Sequence, residues 1–224
     1  MADGRGVRVA VIDSGVHLTH PHIGRIAGGV TITPEGESPD FTDRIGHGTA
    51  VTAALQEKAP AADIHVVRVF TESLRTTTDC LLRAIDWCIE NQMQVVNLSL
   101  GSLNAAYLDR YRETAARASE AGVILVAAVE AQDQPCYPGS LAGTLGVGLD
   151  WECDRDTFRL ADLNGRAVFY ASGYPRPIPG VEPRRNLNGI SFAVANMSGF
   201  VARAVEGREA LSVSGVVAAL RQDR

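Results

Sequence analysis

Short apolar runs alternate with amphipathic stretches along this chain, the pattern of a parallel sheet covered by helices on both faces. Val7-Arg-Val-Ala-Val-Ile12 reads as a buried strand ending in an acidic turn, Asp13-Ser14-Gly15. Ile64–Phe70, Gln94–Leu100, Val123–Ala128 and Thr144–Leu149 predict four more strands. Between them, Thr77–Asn91 has helical periodicity, with Leu81, Leu82, Ile85, Trp87 and Ile89 supplying the apolar face. Tyr107–Ala121 predicts another helix, closed by Gly122. From Trp151 to Asn188 the sequence turns to Asp, Arg, Gly and Pro, which predicts irregular loops with one short strand at Arg166–Tyr170. Two helices, Phe192–Ala204 and Ser212–Leu220, complete the pattern. With no repeat, low-complexity tract or linker, the expectation is a single α/β domain over residues 1–224, a doubly wound and mostly parallel sheet.

Composition narrows the function without naming it. Of 224 residues, 46% are hydrophobic and 21% charged, enough to bury a sizeable core. The net charge of −5 and the lack of a basic stripe argue against nucleic acid as a partner. The one adjacent basic pair, Arg184-Arg185, reads as a solvated loop. No apolar run is long enough to span a bilayer, and Met1–Arg8 carries no apolar signal region, so a cytoplasmic protein is expected. Cys80, Cys88, Cys136 and Cys153 have neither CxxC nor metal-site spacing, and Cys80 and Cys88 lie about 12 Å apart along one helix. Reduced thiols fit that spacing.

Three segments carry candidate chemistry, each joining a reactive residue to glycines at the end of an element. Val9-Ala-Val-Ile-Asp13-Ser-Gly15 places a carboxylate at the carboxyl end of a buried strand, the sheet edge where ligands collect. Gly46-His47-Gly48-Thr49 puts an imidazole at a helix start, although such a histidine can also be incidental to a cap. Asn188-Gly189-Ile190-Ser191-Phe192-Ala193 puts a hydroxyl among exposed helix-terminal amides, where Ser191 can equally serve as a simple N-cap. In order, the three read acid, histidine, serine.

That order and those motifs resemble the subtilisin-like serine peptidases, with their D-S/T-G, H-G-T and G-T-S-x-A segments. The resemblance runs essentially end to end. Ala59-Pro60 with Ile64–Val69 is similar to the strand after the family's histidine helix, and Ala84–Trp87 through Val95–Gly101 to its next helix and substrate-pocket strand. Tyr137-Pro138, Leu145–Gly148 and Ala171-Ser-Gly173 sit where the family has Y-P, A-V-G and A-P-G. The resemblance implies a triad of Asp13, His47 and Ser191, with Leu98, Ser99, Leu100 and Gly101 holding an extended peptide by backbone hydrogen bonds.

The chain departs from the family at several positions. Glu130 falls where an asparagine amide normally donates to the oxyanion, and an ionised carboxylate has no proton to give. Losing that donor costs on the order of 10²–10³ in turnover in subtilisin itself. A protonated Glu130, an amide from Gln132 or Gln134, or a weakly active protein are the three ways to reconcile it. Ile190, Ala195 and Ala50 replace a threonine, a proline and a second histidine of the family. Gln56-Glu57-Lys58 is too brief to build the family's calcium loop, so no metal and no cofactor is expected. His17, His20 and His22 form H-x2-H-x-H, which reads as a surface loop ahead of a metal site.

These readings give a serine endopeptidase acting on a peptide or protein, with removal of a leader from an intracellular precursor as one role. A catalytically impaired peptide-binding scaffold is the alternative, and ligation or cyclisation through the same acyl-enzyme a third. Cleavage preference and oligomeric state are not legible in the sequence.

Overall fold

Strand residues alternate between two separate apolar cores, because successive side chains of a strand point to opposite faces. In the computed structural model, which describes residues 2–222, β1 (Arg8–Asp13) sends Val9 and Val11 to one core and Ala10 and Ile12 to the other. The same split recurs in β4 (Asp63–Arg68) and β6 (Ile124–Ala128). A strand buried on both faces is apolar over most of its length, which is why these runs stand out in the sequence.

The remaining strands are β2 (Gly28–Thr33), β3 (Gly36–Ser38), β5 (Val95–Leu98), β9 (Leu145–Leu149), β10 (Phe158–Leu163) and β11 (Arg166–Ala171), with a separate hairpin of β7 (Glu130–Ala131) and β8 (Gln134–Pro135). The nine-stranded sheet runs β10-β11-β9-β6-β5-β1-β4-β2-β3. Its inner pairings are parallel, and β10 and β3 close the two edges antiparallel. The doubly wound, mostly parallel α/β architecture expected from the sequence is the one observed.

Helices α1 (His47–Lys58), α4 (Ile190–Val205) and α5 (Val213–Gln222) cover one face. Helices α2 (Thr78–Glu90) and α3 (Leu108–Glu120) cover the other. Thr77 caps α2 by accepting from the Cys80 amide at 3.1 Å, and Gly122 follows α3 with φ 72°. Helix α4 is buried on nearly every side, with Phe192, Met197, Val201 and Val205 all inside the core. Each such side chain contributes about 1.5–3 kcal/mol on burial, which fixes the position of the helix start. α4 packs on α1 so closely that a Cβ on Gly199 would lie 2.9 Å from the Leu55 carbonyl oxygen.

Two expectations need correction. The stretch Trp151–Asn188 holds two strands, β10 as well as β11, paired antiparallel. Their turn, Asn164-Gly165, has both residues at positive φ (56° and 80°), the geometry that Asn-Gly selects between twisted strands. The edge pair β2–β3 also lies outside the strands read from apolar runs, since its strands carry glycine and threonine.

Candidate active site

The chain crosses from one side of β1 to the other, since β4 and β5 flank it, and the carboxyl end of β1 therefore faces a crevice at a topological switch point. Asp13 is the last residue of β1 and is fully buried. Its Oδ1 accepts from Nδ1 of His47 at 2.8 Å and from the Ser14 amide at 2.7 Å, while Oδ2 is buried with no hydrogen-bond partner.

His47 reaches Asp13 because α1 starts against the turn that follows β1. The Ser14 hydroxyl accepts from the Gly48 amide at 2.8 Å and donates to Asp43 at 2.9 Å, tying the helix start to that turn. A Cβ on Gly48 would collide with the Gly15 carbonyl, so only glycine permits this approach. Asp43 in turn accepts the Ile45 and Gly46 amides and both donors of Thr49. Gly46, not His47, occupies the cap position of α1, which leaves the imidazole free for other work. Burial works against the charged imidazole, but the hydrogen bond and charge of Asp13, aided by Asp43, outweigh it and raise the His47 pKa.

Ser191 is the second residue of α4 and is not its cap, a position taken by Gly189 with φ 141° and no side-chain hydrogen bond. Its amide belongs to the first turn, whose N–H groups lack partners within the helix. The Ser191 hydroxyl donates to the Ser99 carbonyl at 3.2 Å. The His47 ring lies beside Phe192, the next residue of α4, with centroids 5.8 Å apart. The structure thus joins Asp13 and His47 directly and sets Ser191 at the adjoining helix start, its hydroxyl turned to the Ser99 carbonyl.

One positioning residue escaped the sequence reading. Asn97, fully buried in β5, donates from Nδ2 to Ser99 Oγ at 2.8 Å and accepts from Ser198 at 3.0 Å. Ser99 Oγ then donates to the Ser191 carbonyl at 3.4 Å. A polar side chain between Val96 and Leu98 was the available signal, since a buried amide needs partners.

Leu98–Gly101 and Ser191 line a cavity of about 230 Å³, closed by Ala128, Ala131, Gln132 and Cys136. Glu130 is exposed in the β7–β8 hairpin, opposite Pro135, and is not among the lining residues, whereas Gln132 is. Burial pushes the Cys136 thiol up to about 11, so it stays protonated beside the cleft. All four cysteines are buried and unpaired. Among the described residues no group of three or more His, Cys, Asp or Glu side chains is placed to hold a metal ion, and no helix is long and apolar enough to cross a membrane.

A family model described as the subtilase family matches residues 4–157. The chain belongs to the subtilase family. It is 33% identical to subtilisin BL of Lederbergia lenta over 222 residues, covering 93% of this chain and 76% of that protein. It is 30% identical to the thermostable alkaline protease of Halalkalibacterium halodurans over 221 residues, covering 89% of this chain but 56% of that protein. The subtilase chain thus spans little more than half the length of some of the relatives it matches. A solved cold adapted subtilisin-like serine proteinase has the same fold, with a TM-score of 0.74 at 22% identity over 97% of this chain and 81% of that one.

Proposed function

We propose that this subtilase is a serine endopeptidase in which Ser191 is the nucleophile, His47 the general base and acid, and Asp13 the group that orients it. The observation that carries the reading is the 2.8 Å contact from Asp13 Oδ1 to His47 Nδ1, which leaves Nε2 as the basic nitrogen. Ser191 Oγ swings from the Ser99 carbonyl toward that nitrogen when a peptide enters, a tightening common in substrate complexes.

Ser191 Oγ then bonds to the scissile carbonyl carbon as its proton passes to His47 Nε2. The tetrahedral adduct collapses, the C–N bond breaks, and His47 returns the proton to the departing amine. Water gives a proton to His47 and attacks the acyl-enzyme, releasing the acid and restoring the Ser191 hydroxyl. The Ser191 amide and the Gln132 side-chain amide serve as the oxyanion donors, with Glu130 at the family's asparagine position left in solvent. Ser99, Leu100 and Gly101 present backbone groups along which the acyl part of the peptide adds as a strand.

A narrow role in processing an intracellular precursor peptide is the finer reading. The buried, unpaired thiols suit a reducing compartment. A serine-directed fluorophosphonate probe tests the proposal. Labelling that disappears in Ser191→Ala supports it. No labelling between about pH 5 and about pH 9, with peptide binding retained, supports instead a non-catalytic peptide binder. The Ser191 hydroxyl turned to Ser99 is the observation that favours that second reading.

A further inference from the structure

A second cavity, of about 580 Å³, begins at Gly46 beside His47 and at Leu187 shortly before Ser191, and shares no residue with the cavity beside Ser99. Its walls hold His17, His20 and His22, three of the chain's five histidines, together with Arg44 and Arg176. The two arginines carry fixed positive charge in a protein whose net charge is −5.

The positive charge has little internal compensation. Arg176, half-buried, donates from Nη1 to the His22 carbonyl at 3.2 Å, and among the described residues no carboxylate pairs with it. Arg44 meets only the exposed Asp40, at 3.3 Å, and an exposed pair of this kind holds little energy. The one carboxylate in the wall, Asp43, is buried and already accepts from Ser14, Ile45, Gly46 and Thr49. The His22 pKa is lowered first by burial and then by the charges of Arg176 and His20, with Glu57 opposing them. Glu57 is itself engaged by Lys58 and Arg155.

We propose that this cavity binds an acidic peptide segment on the leaving-group side of the scissile bond, with Arg176 as its main anchor. The side follows from the chemistry proposed above, on which this inference rests. The acyl part bonds to Ser191 and lies along Ser99–Gly101, whereas the departing amine takes its proton from His47. The chain beyond that amine therefore leaves past His47, toward Gly46 and the cationic wall. A carboxylate there meets a planar guanidinium that can donate twice, while a lysine meets two arginines.

Fluorescein-labelled peptides with a common acyl side and three Glu, Gln or Lys residues after the cut test this, with anisotropy read on the Ser191→Ala protein. The Glu peptide binds tighter than the Gln peptide by about tenfold or more, the scale of one charge-assisted hydrogen bond, and the Lys peptide is the weakest. Arg176→Gln removes most of that preference, Arg176→Lys retains part of it, and Arg25→Gln, outside the cavity, leaves it unchanged. Arg44→Gln weakens it as well, which guards against a folding defect at Arg176. Equal binding of Glu and Gln peptides, or a preference that survives both Arg176→Gln and Arg44→Gln, overturns the inference. Failure of fluorophosphonate labelling with the acidic preference intact overturns the peptidase reading alone. Labelling without acidic preference overturns this one alone.

Discussion

Asp13 and His47 meet through Oδ1 and Nδ1 at 2.8 Å, although 34 residues separate them, because Ser14 hydrogen-bonds both the helix start at Gly48 and the acid at Asp43. A buried carboxylate beside an imidazole favours the imidazolium, and the pKa of His47 is accordingly raised above 6.5 despite the opposing effect of burial.

That shift fixes the sign of the pH dependence. A general base must be neutral, so the acid limb of kcat/KM falls above the ordinary imidazole value. In Asp13→Asn only burial remains to act strongly on the ring, so the limb moves below that value, while kcat falls on the order of 10⁴ as the tautomer is lost. The same pair stabilises the fold fully below about pH 6.5 and loses its contribution as pH rises through the raised value. A kcat/KM profile and thermal denaturation across neutral pH check both. A wild-type acid limb at or below the ordinary value overturns the assignment.

The oxyanion donor is predicted to be Gln132. Gln132→Ala lowers kcat by about 10²–10³ with KM little changed, the signature of a donor that acts on the transition state. Glu130→Gln, at an exposed site outside the cavity, leaves kcat within about twofold, as surface changes usually do. The reverse pattern, a kcat collapse in Glu130→Gln with Gln132→Ala near normal, returns the role to residue 130.

How much of this was legible in the sequence depends on burial. Strands β1, β5, β6 and β9 lie inside the sheet with both faces covered, so their residues are mostly apolar, with Asn97 and Asp13 as exceptions, and the pattern showed them. Edge strand β10 mixes Phe158, Leu160, Ala161 and Leu163 with Arg159 and Asp162 over a half-covered surface, without strict alternation, and its composition hid it. The Asn164-Gly165 turn announced that hairpin to a reading that weighed turns as well as runs. The Asp13–His47 pairing and the place of Ser191 at the start of α4 follow from positions that were legible, because each residue sits at an element end flagged by glycine. The cavity lined by Arg44 and Arg176 was not, since its two arginines and three histidines come from three separate loops and only folding gathers them.

The cavity beside Ser191 predicts the residue accepted before the cut. Its walls, Leu98, Leu100, Leu103, Ala128, Cys136 and Val194 among them, hold no charged side chain within a volume of about 230 Å³. Peptides with Leu or Met at that position are cleaved best, and those with Asp or Lys poorly, because nothing there pairs a buried charge. Ala131→Leu fills part of the space and lowers kcat/KM for a Leu substrate by about tenfold or more, with an Ala substrate little affected. A library digest giving Lys or Asp as the preferred residue is incompatible with this pocket.

The end of α1 predicts a stability switch remote from the chemistry. The Lys58 side chain is 4% exposed, yet its Nζ reaches Glu57 at 3.1 Å and Asp156 at 2.6 Å. Arg155 binds the same Glu57 carboxylate, so one acid holds two cations and pins the 154–156 loop to the helix. Removing one member of a buried pair costs about 3–5 kcal/mol, and the partial exposure of Glu57 brings Glu57→Ala nearer to about 2 kcal/mol. For a domain of this size that is a fall of about 4–8 °C in Tm. Lys58→Met, which removes the buried charge and keeps its bulk, costs less than Glu57→Ala. Burial works to raise the Glu57 pKa, but Arg155 and Lys58 more than offset it and hold it below 4.5. Its contribution is therefore present above that value and fades as pH falls through the lowered one. Wild type and Glu57→Ala thus differ in Tm at neutral pH and converge in acid. Equal differences at both, or a Lys58→Met protein less stable than Glu57→Ala, refutes the ion-pair account of this corner.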